Sequence, residues 1–301
     1  MKRLTLIRES RRPLNIRKLL EKSYFAQEIE GKATVGVIVS LISFRGKYEM
    51  ANVEAVAELT RFIKEISPAT RVIVAAASHE AYQEGKSTEE AFKRLKYAIV
   101  KREGAELLAL EMGEYSEVEF ETTRGLRRAR LSKFRADLLV SFTPPKTHPL
   151  LIISSTLDNL AFEMTHPADR QYLYGGKLWP EDPLPYFKLA SKNILKVFSI
   201  VKPHVGIVDG LFAVEGRGPL QGTPVFHQLA LASPDLVLVD ALTSALAGVD
   251  PEKVYYLKLA REKKLGSIDY SKTIPRDRIR QYRFPYRLHP ASQALLQGGT
   301  K

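Results

Sequence analysis

The chain has no cysteine in its 301 residues, and that absence closes several chemistries together. Disulfides, thiolate metal sites, iron–sulfur clusters with cysteine ligands and cysteine nucleophiles are all excluded. No apolar run reaches the roughly eighteen residues that mark a membrane-spanning helix. The opening residues, MKRLTLIRES, return to charge too soon for the apolar core of a signal peptide. A soluble cytoplasmic protein with no membrane partner is expected. Two nucleotide signatures are also missing. No glycine-rich loop ends in Gly-Lys-Ser/Thr, and no G-x-G-x-x-G links a strand to a helix, so neither ATP nor NAD is an expected cofactor.

What is present is basic. Forty-six lysines and arginines against 34 acids give a formal charge of +12. That balance favours anionic partners, from small phosphates and carboxylates to nucleic acid, or else a solvated basic face. The length suits one large α/β unit, or two closely joined lobes divided near residue 135 with a basic tail from 271.

Apolar periodicity alternates between strand and helix. Residues 4–7 and 34–41 (TVGVIVSL) read as strands. Asn52 can cap a helix over 53–66, and 71–76 (RVIVAA) returns as a strand, giving a β–α–β unit with an expected parallel pairing. Ser87 and Glu90 fit a capping box for a helix through Arg102. Residues 107–111 and 138–142 read as further strands, and the acidic alternation of 117–121 as an edge strand or hairpin. The expected fold is a mostly parallel sheet, or two Rossmann-like lobes, with helices on both faces. Residues 124–135 hold six basic side chains and no acid, without the aromatic series that would favour nucleic acid. Residues 166–186, which include the only tryptophan, Trp179, lack periodicity and suit a lid, an oligomer contact or an ordered packed excursion. Residues 276–287 mix five arginines with Tyr282, Phe284 and Tyr286, which suits either an acidic partner or a strap over the domain. The final GGTK is expected to fray.

Two stretches carry candidate chemistry. In TPPKTHP (143–149), prolines restrain a loop with Lys146 and His148, a compact cation beside a group that exchanges protons near neutral pH. They are the candidate catalytic pair, with a well-capped turn as the plain alternative. In 205–241, a strand (205–208), a loop with four glycines (210–223), a helix (224–232) and a second strand (236–239) are expected. Backbone amides of such a loop can form an anion nest, which makes Asp209, Glu215, Gly216, Gly218, Gly222 and Asp240 candidate ligand-binding residues. Asp209, Glu215 and Asp240 could instead hold a divalent metal, or serve as caps and hydrogen-bond acceptors.

DGLFAVEGRGPLQG (209–222), with ALASPDLVLVDALTSALAG (230–248) and PPKTH (144–148), resembles the family called domain of unknown function 362. The family's loop pattern is matched by Asp209, Glu215, Gly216, Gly218, Pro219 and Gly222. Its following segments are matched by Asp235, Asp240, Gly248 and Asp250, and its P-K-x-K-T-H region by Lys146, Thr147 and His148. Where relatives have Lys-Asn and a glycine, this chain has Asp158, Asn159 and Ala161, which removes a positive charge. Relatives with cysteine-rich ferredoxin-like segments imply electron transfer, which does not extend to a chain without cysteine. The resemblance implies a site where the two regions meet. Binding of a small anion there is the leading reading, with proton transfer or metal-assisted hydrolysis as its enzymatic forms. A non-enzymatic binding or assembly module, homo-oligomers included, is the competing one.

Overall fold

The computed structural model describes residues 3–46 and 48–298, so the end of the GGTK tail lies outside the described residues. Among the described residues, eleven strands run β1 Thr5–Arg8, β2 Thr34–Val39, β3 Arg71–Ala76, β4 Ala105–Ala109, β5 Tyr115–Thr122, β6 Gly125–Ser132, β7 Leu138–Thr143, β8 Lys146–His148, β9 Ile152–Ser154, β10 Val205–Arg217 and β11 Gln221–Ser233. Nine of them form one sheet, in the order β1-β11-β10-β7-β2-β3-β4, with β8 and β9 attached beside β10. The strands β10, β7, β2, β3 and β4 pair in parallel, and β11 runs against both of its neighbours. The sheet crosses position 135 without interruption, because β7 sits between β2 and β10.

Helices cover both faces, as expected of a parallel sheet whose crossovers need them. The helix Val53–Ile66 starts where Asn52 accepts from the amides of Glu54 and Ala55 at 3.0 and 3.2 Å. It buries Val56, Leu59 and Ile63 against Val35, Val37 and Val74, together with Ile16 and Leu19 of helix Arg12–Lys22. On the other face lie helices Thr156–Met164, Phe187–Val201 and Tyr255–Glu262, with Leu157, Leu160 and Ile194 packed against Ile38 and Leu139. The expected capping box at Ser87 and Glu90 is present. Its helix ends at Arg94, because Lys96 turns left-handed at φ +63°, and a second short helix resumes at Ala98.

Three expectations for 205–241 are corrected. Residues 210–217 are not loop but the far half of β10, and 224–232 are not helix but β11, the two forming a long hairpin that turns at 218–220. Residues 236–239 are not strand but the start of helix Leu236–Leu246, capped by Asp235, whose Oδ1 accepts from Leu238 N at 3.1 Å. Every residue of that helix is buried, so no polar face marks a helical period, and a short apolar run reads equally as strand. The glycines of 210–223 serve tight packing inside the ladder. A β-carbon on Gly222 would sit 2.3 Å from Val214 Cγ1.

Part of each basic stretch is engaged by the fold. Residues 125–132 form β6, opposite acidic β5, with Arg128 at 3.5 Å from Glu117 and Arg130 at 2.8 Å from Asp169. The tail straps the domain, its Phe284 and Tyr286 amides donating to Leu246 O and Ala247 O. Residues 166–186 begin as an ordered packed segment, with Arg170, Leu173 and Tyr174 fully buried.

Candidate functional site

Along the sheet, β3 and β4 succeed β2 on one side, while β7 and β10 lie on the other. The direction of winding therefore switches between β2 and β7. In open α/β sheets, ligands bind beyond the carboxyl ends of the strands at such a switch point. A cavity of about 20 Å³ lies there, bordered by Ser40 just past β2 and by Lys146, His148 and Asn159, with Trp179 and Pro219 also in its wall. It has room for about one water.

Lys146 is almost wholly buried, and its Nζ donates to Thr143 Oγ1 (2.9 Å), Pro144 O (3.1 Å) and Ser40 Oγ (3.3 Å). All three acceptors are neutral. Burial pushes its pKa down from 10.5 to about 8, against the opposing pull of Asp158, Glu49 and Glu163. His148 accepts at Nδ1 from the amides of Leu150 (3.1 Å) and Leu151 (3.3 Å). The neutral ring then carries its proton on Nε2, which is buried without a partner. Burial holds this histidine at about 4, so near neutral pH it is a neutral N–H donor. Its ring lies 5.2 Å from Tyr174 and 5.6 Å from Trp179.

Helix Thr156–Met164 supplies the remaining polar wall. Asp158 accepts from Tyr174 Oη at 2.6 Å and from Ser154 Oγ. Asn159 Nδ2 donates to Ser141 Oγ at 2.9 Å and Ile38 O at 3.2 Å, clamping β2 to β7, while its Oδ1 is buried without a partner.

The two candidate stretches do meet, through backbone and glycine. Thr147 Oγ1 donates to Gly216 O at 3.0 Å, and a β-carbon on Gly218 would lie 2.4 Å from Thr147 O. This close approach lays the hairpin tip on β8 and sets Pro219 at the cavity wall.

The three carboxylates do not converge. Asp209 faces Arg12, with Nε and Oδ2 2.9 Å apart but poorly aligned for a hydrogen bond, and burial raises its pKa. Asp240 caps helix Thr156–Met164, accepting from Thr156 N (2.8 Å), Thr156 Oγ1 (2.6 Å) and Leu157 N (3.1 Å). Burial lifts it to about 6 despite those bonds. Glu215 accepts from Arg287 N at 2.8 Å, and Gly216, at φ +75°, donates its amide to Arg287 O at 2.5 Å. No group of three or more His, Asp or Glu among the described residues could hold a metal.

The family model described as "Domain of unknown function (DUF362)" matches residues 35–245. The chain belongs to the DUF362 family. Among curated proteins, this DUF362 chain is similar to the thylakoid-associated protein sll1697 of Synechocystis sp. The two are 26% identical over 145 residues, which cover 46% of this chain and 40% of that protein. Among solved structures, the lactate racemase apoprotein of Thermoanaerobacterium thermosaccharolyticum aligns at TM-score 0.49 and 12% identity. That alignment covers 70% of this chain and 50% of the other. No helix among the described residues is long and apolar enough to cross a membrane.

Sequence reasoning missed one buried group of the DUF362 chain beside the cavity. Glu163, fully buried, accepts from Leu41 N and Ala77 N at 2.8 Å each, just beyond β2 and β3, and lies 3.6 Å from buried Arg170. Arg170 donates to Ala77 O (2.7 Å) and Phe162 O (2.8 Å) and stacks on the Phe162 ring at 3.9 Å. The sequence signal is slight, two acids and an amide, Asp158, Asn159 and Glu163, in a nine-residue helix that the structure buries throughout.

Proposed function

We propose that the switch-point cavity binds a small anion, a carboxylate or phosphate group held by the Lys146 ammonium and the Nε2–H of His148. One observation carries this reading. Lys146 is a buried cation whose hydrogen-bond partners are all neutral, and it shares a cavity wall with the unpartnered donor of His148. A buried charge is costly unless paired, and a bound anion would supply the missing partner. Asn159 Oδ1, an unpartnered acceptor in the same wall, suits a ligand that also carries a hydroxyl or amine.

The cavity of about 20 Å³ is smaller than such a ligand, so binding moves Trp179 and Pro219 outward. A lysine near 8 also has a neutral fraction that can accept a proton from a bound substrate, which is the catalytic form of the proposal. Asp209, Glu215 and Asp240 keep their present partners in this reading. A cytoplasmic setting belongs to this reading, with the thylakoid association of the similar Synechocystis protein as the alternative.

Trp179 is the single tryptophan, so its fluorescence reports on the cavity directly. Titration with acetate, glycolate and phosphate is expected to give a saturable change that fades as pH rises through about 8 and is absent in Lys146→Met. An equal response in Lys146→Met, or no response to any of the three anions, sinks the proposal.

A further inference from the structure

A second cavity, about 390 Å³, lies among β9 and helices Phe187–Val201, Tyr255–Glu262 and Pro290–Gly298. That volume is typical of small-molecule sites. Its floor is apolar, built from Leu150, Ile152, Phe187, Leu295 and Leu296. Its rim carries Lys188, Lys253 and Lys258. The one acid in the lining, Glu252, is paired with Arg261. Among the described residues no carboxylate forms an ion pair with any of the three lysines, and Lys188 instead rests over the Phe187 and Tyr255 rings at 5.8 and 5.9 Å.

A backbone feature in the floor adds an independent observation. Ile152 is left-handed at φ +66°, a conformation that a β-branched residue adopts only at a cost. A glycine would relieve that cost but would remove a buried wall of the cavity. Strain of this kind persists where the surrounding structure imposes it, and it gathers at ligand sites.

We propose that this cavity binds a single-chain amphiphile with an anionic head group. Its tail lies along Leu150, Ile152 and Leu295, and its head sits among Lys188, Lys253 and Lys258. The positive rim over an apolar floor selects this occupant. A neutral head group forgoes the lysines, and a cationic head is repelled by them.

Isothermal titration of the full chain with octanoate, octanol and octylamine tests the site. Octanoate is expected to bind at one per chain and about tenfold more tightly than octanol, which is a difference of about 1.4 kcal/mol. Octylamine is expected not to bind. The triple variant Lys188→Gln, Lys253→Gln, Lys258→Gln changes only exposed side chains and should erase the preference for octanoate. Leu296→Glu, at a half-buried position, should abolish octanoate binding in a protein whose far-ultraviolet dichroism shows it still folded. Equal affinity for octanol and octanoate overturns the proposal, as does unchanged binding by the triple variant. Loss of octanoate binding in Lys146→Met would place the ligand in the switch-point cavity and overturn it equally. Co-sedimentation with phosphatidylglycerol vesicles without octanoate binding would make the rim a membrane contact and reject the site.

Discussion

Neutralising Glu163 tests whether the carboxyl ends of β2 and β3 are held by one buried carboxylate. In Glu163→Gln, a single carbonyl oxygen replaces two carboxylate oxygens that each accept a backbone amide at 2.8 Å. One of the Leu41 and Ala77 amides then faces an NH₂ group, and an unsatisfied buried donor costs about 1–3 kcal/mol. Arg170, wholly buried 3.6 Å away, loses its counter-charge, and breaking a buried pair from one side costs about 3–5 kcal/mol. The two costs overlap, because the same oxygens serve both, so about 4 kcal/mol is expected. That is a large share of a typical stability of about 5–15 kcal/mol. Urea denaturation followed by far-ultraviolet dichroism gives the number, with a lowered midpoint and an unchanged slope. Arg170→Met and the double variant complete a cycle whose coupling should be about 2 kcal/mol or more. The exposed Arg71–Glu106 pair is the control, and Glu106→Gln should leave the midpoint in place. A loss below about 1 kcal/mol in Glu163→Gln, or a coupling near zero, refutes the reasoning from buried charge.

Other expectations follow from the same geometry. Lys146→Met should stabilise the protein at pH 7, since the gap between 10.5 and about 8 corresponds to about 3 kcal/mol spent on burying the charge. Because folding favours the neutral amine, wild-type stability rises with pH between about 8 and 10.5, and the advantage of the variant shrinks across that window when melting is followed. Asp240 has the opposite window. Its carboxyl is raised from 3.8 to about 6, so its contribution is fully present below 3.8 and lost as pH rises through 6, a dependence that Asp240→Asn should flatten in pH-dependent denaturation. Gly218→Ala should cost about 1–3 kcal/mol by forcing the hairpin tip off Thr147, and should shift Trp179 emission by opening the cavity beside Pro219. Lys202, exposed and left-handed at φ +53° after helix Phe187–Val201, should yield about 0.5–1 kcal/mol in thermal stability when replaced by glycine.

Much of the fold was legible where local chemistry and tertiary packing agree. The helix Val53–Ile66 and strand β3 match their expected bounds because Asn52, Ser67 and Pro68 punctuate them in the chain itself. The hairpin β10–β11 was not legible. Its second strand opens QGTPVF, with turn residues that suggest a loop, and their place in the ladder is decided by a partner strand and by the tail strapped across it. Asp240 misled for a related reason. A carboxylate after an apolar run suggests a strand end, but here it lies inside a fully buried helix and caps a different one. That role depends on two helices meeting, which no local pattern encodes. Two prolines marked Lys146 and His148 as a pair, but the expected restrained loop is corrected: both residues lie on strand β8, whose pairing with β9 and β10 no local pattern encodes.

The surroundings of that pair differ from those of the three carboxylates. Asp209, Glu215 and Asp240 are each met by donors that the fold itself supplies: Arg12, the Arg287 amide, and the end of helix Thr156–Met164. Glu215 and Asp240 would lose existing hydrogen bonds by binding a ligand, and the charge of Asp209 is already countered by Arg12. Lys146 and His148 differ in what they leave unmet, a counter-charge for the lysine and an acceptor for the histidine. The ammonium has spent its three donors on neutral oxygens at 2.9–3.3 Å, and the imidazole has spent its acceptor and left its donor bare. Both belong to β8, held under the hairpin tip by the contact of Thr147 with Gly216 and Gly218. Opening that tip would expose a cation and a donor together, with no acid freed beside them to compete except Asp158, which Tyr174 and Ser154 already occupy. On the proposed reading, Gly216 and Gly218 would serve by seating the hairpin tip against Thr147 rather than by forming an anion nest.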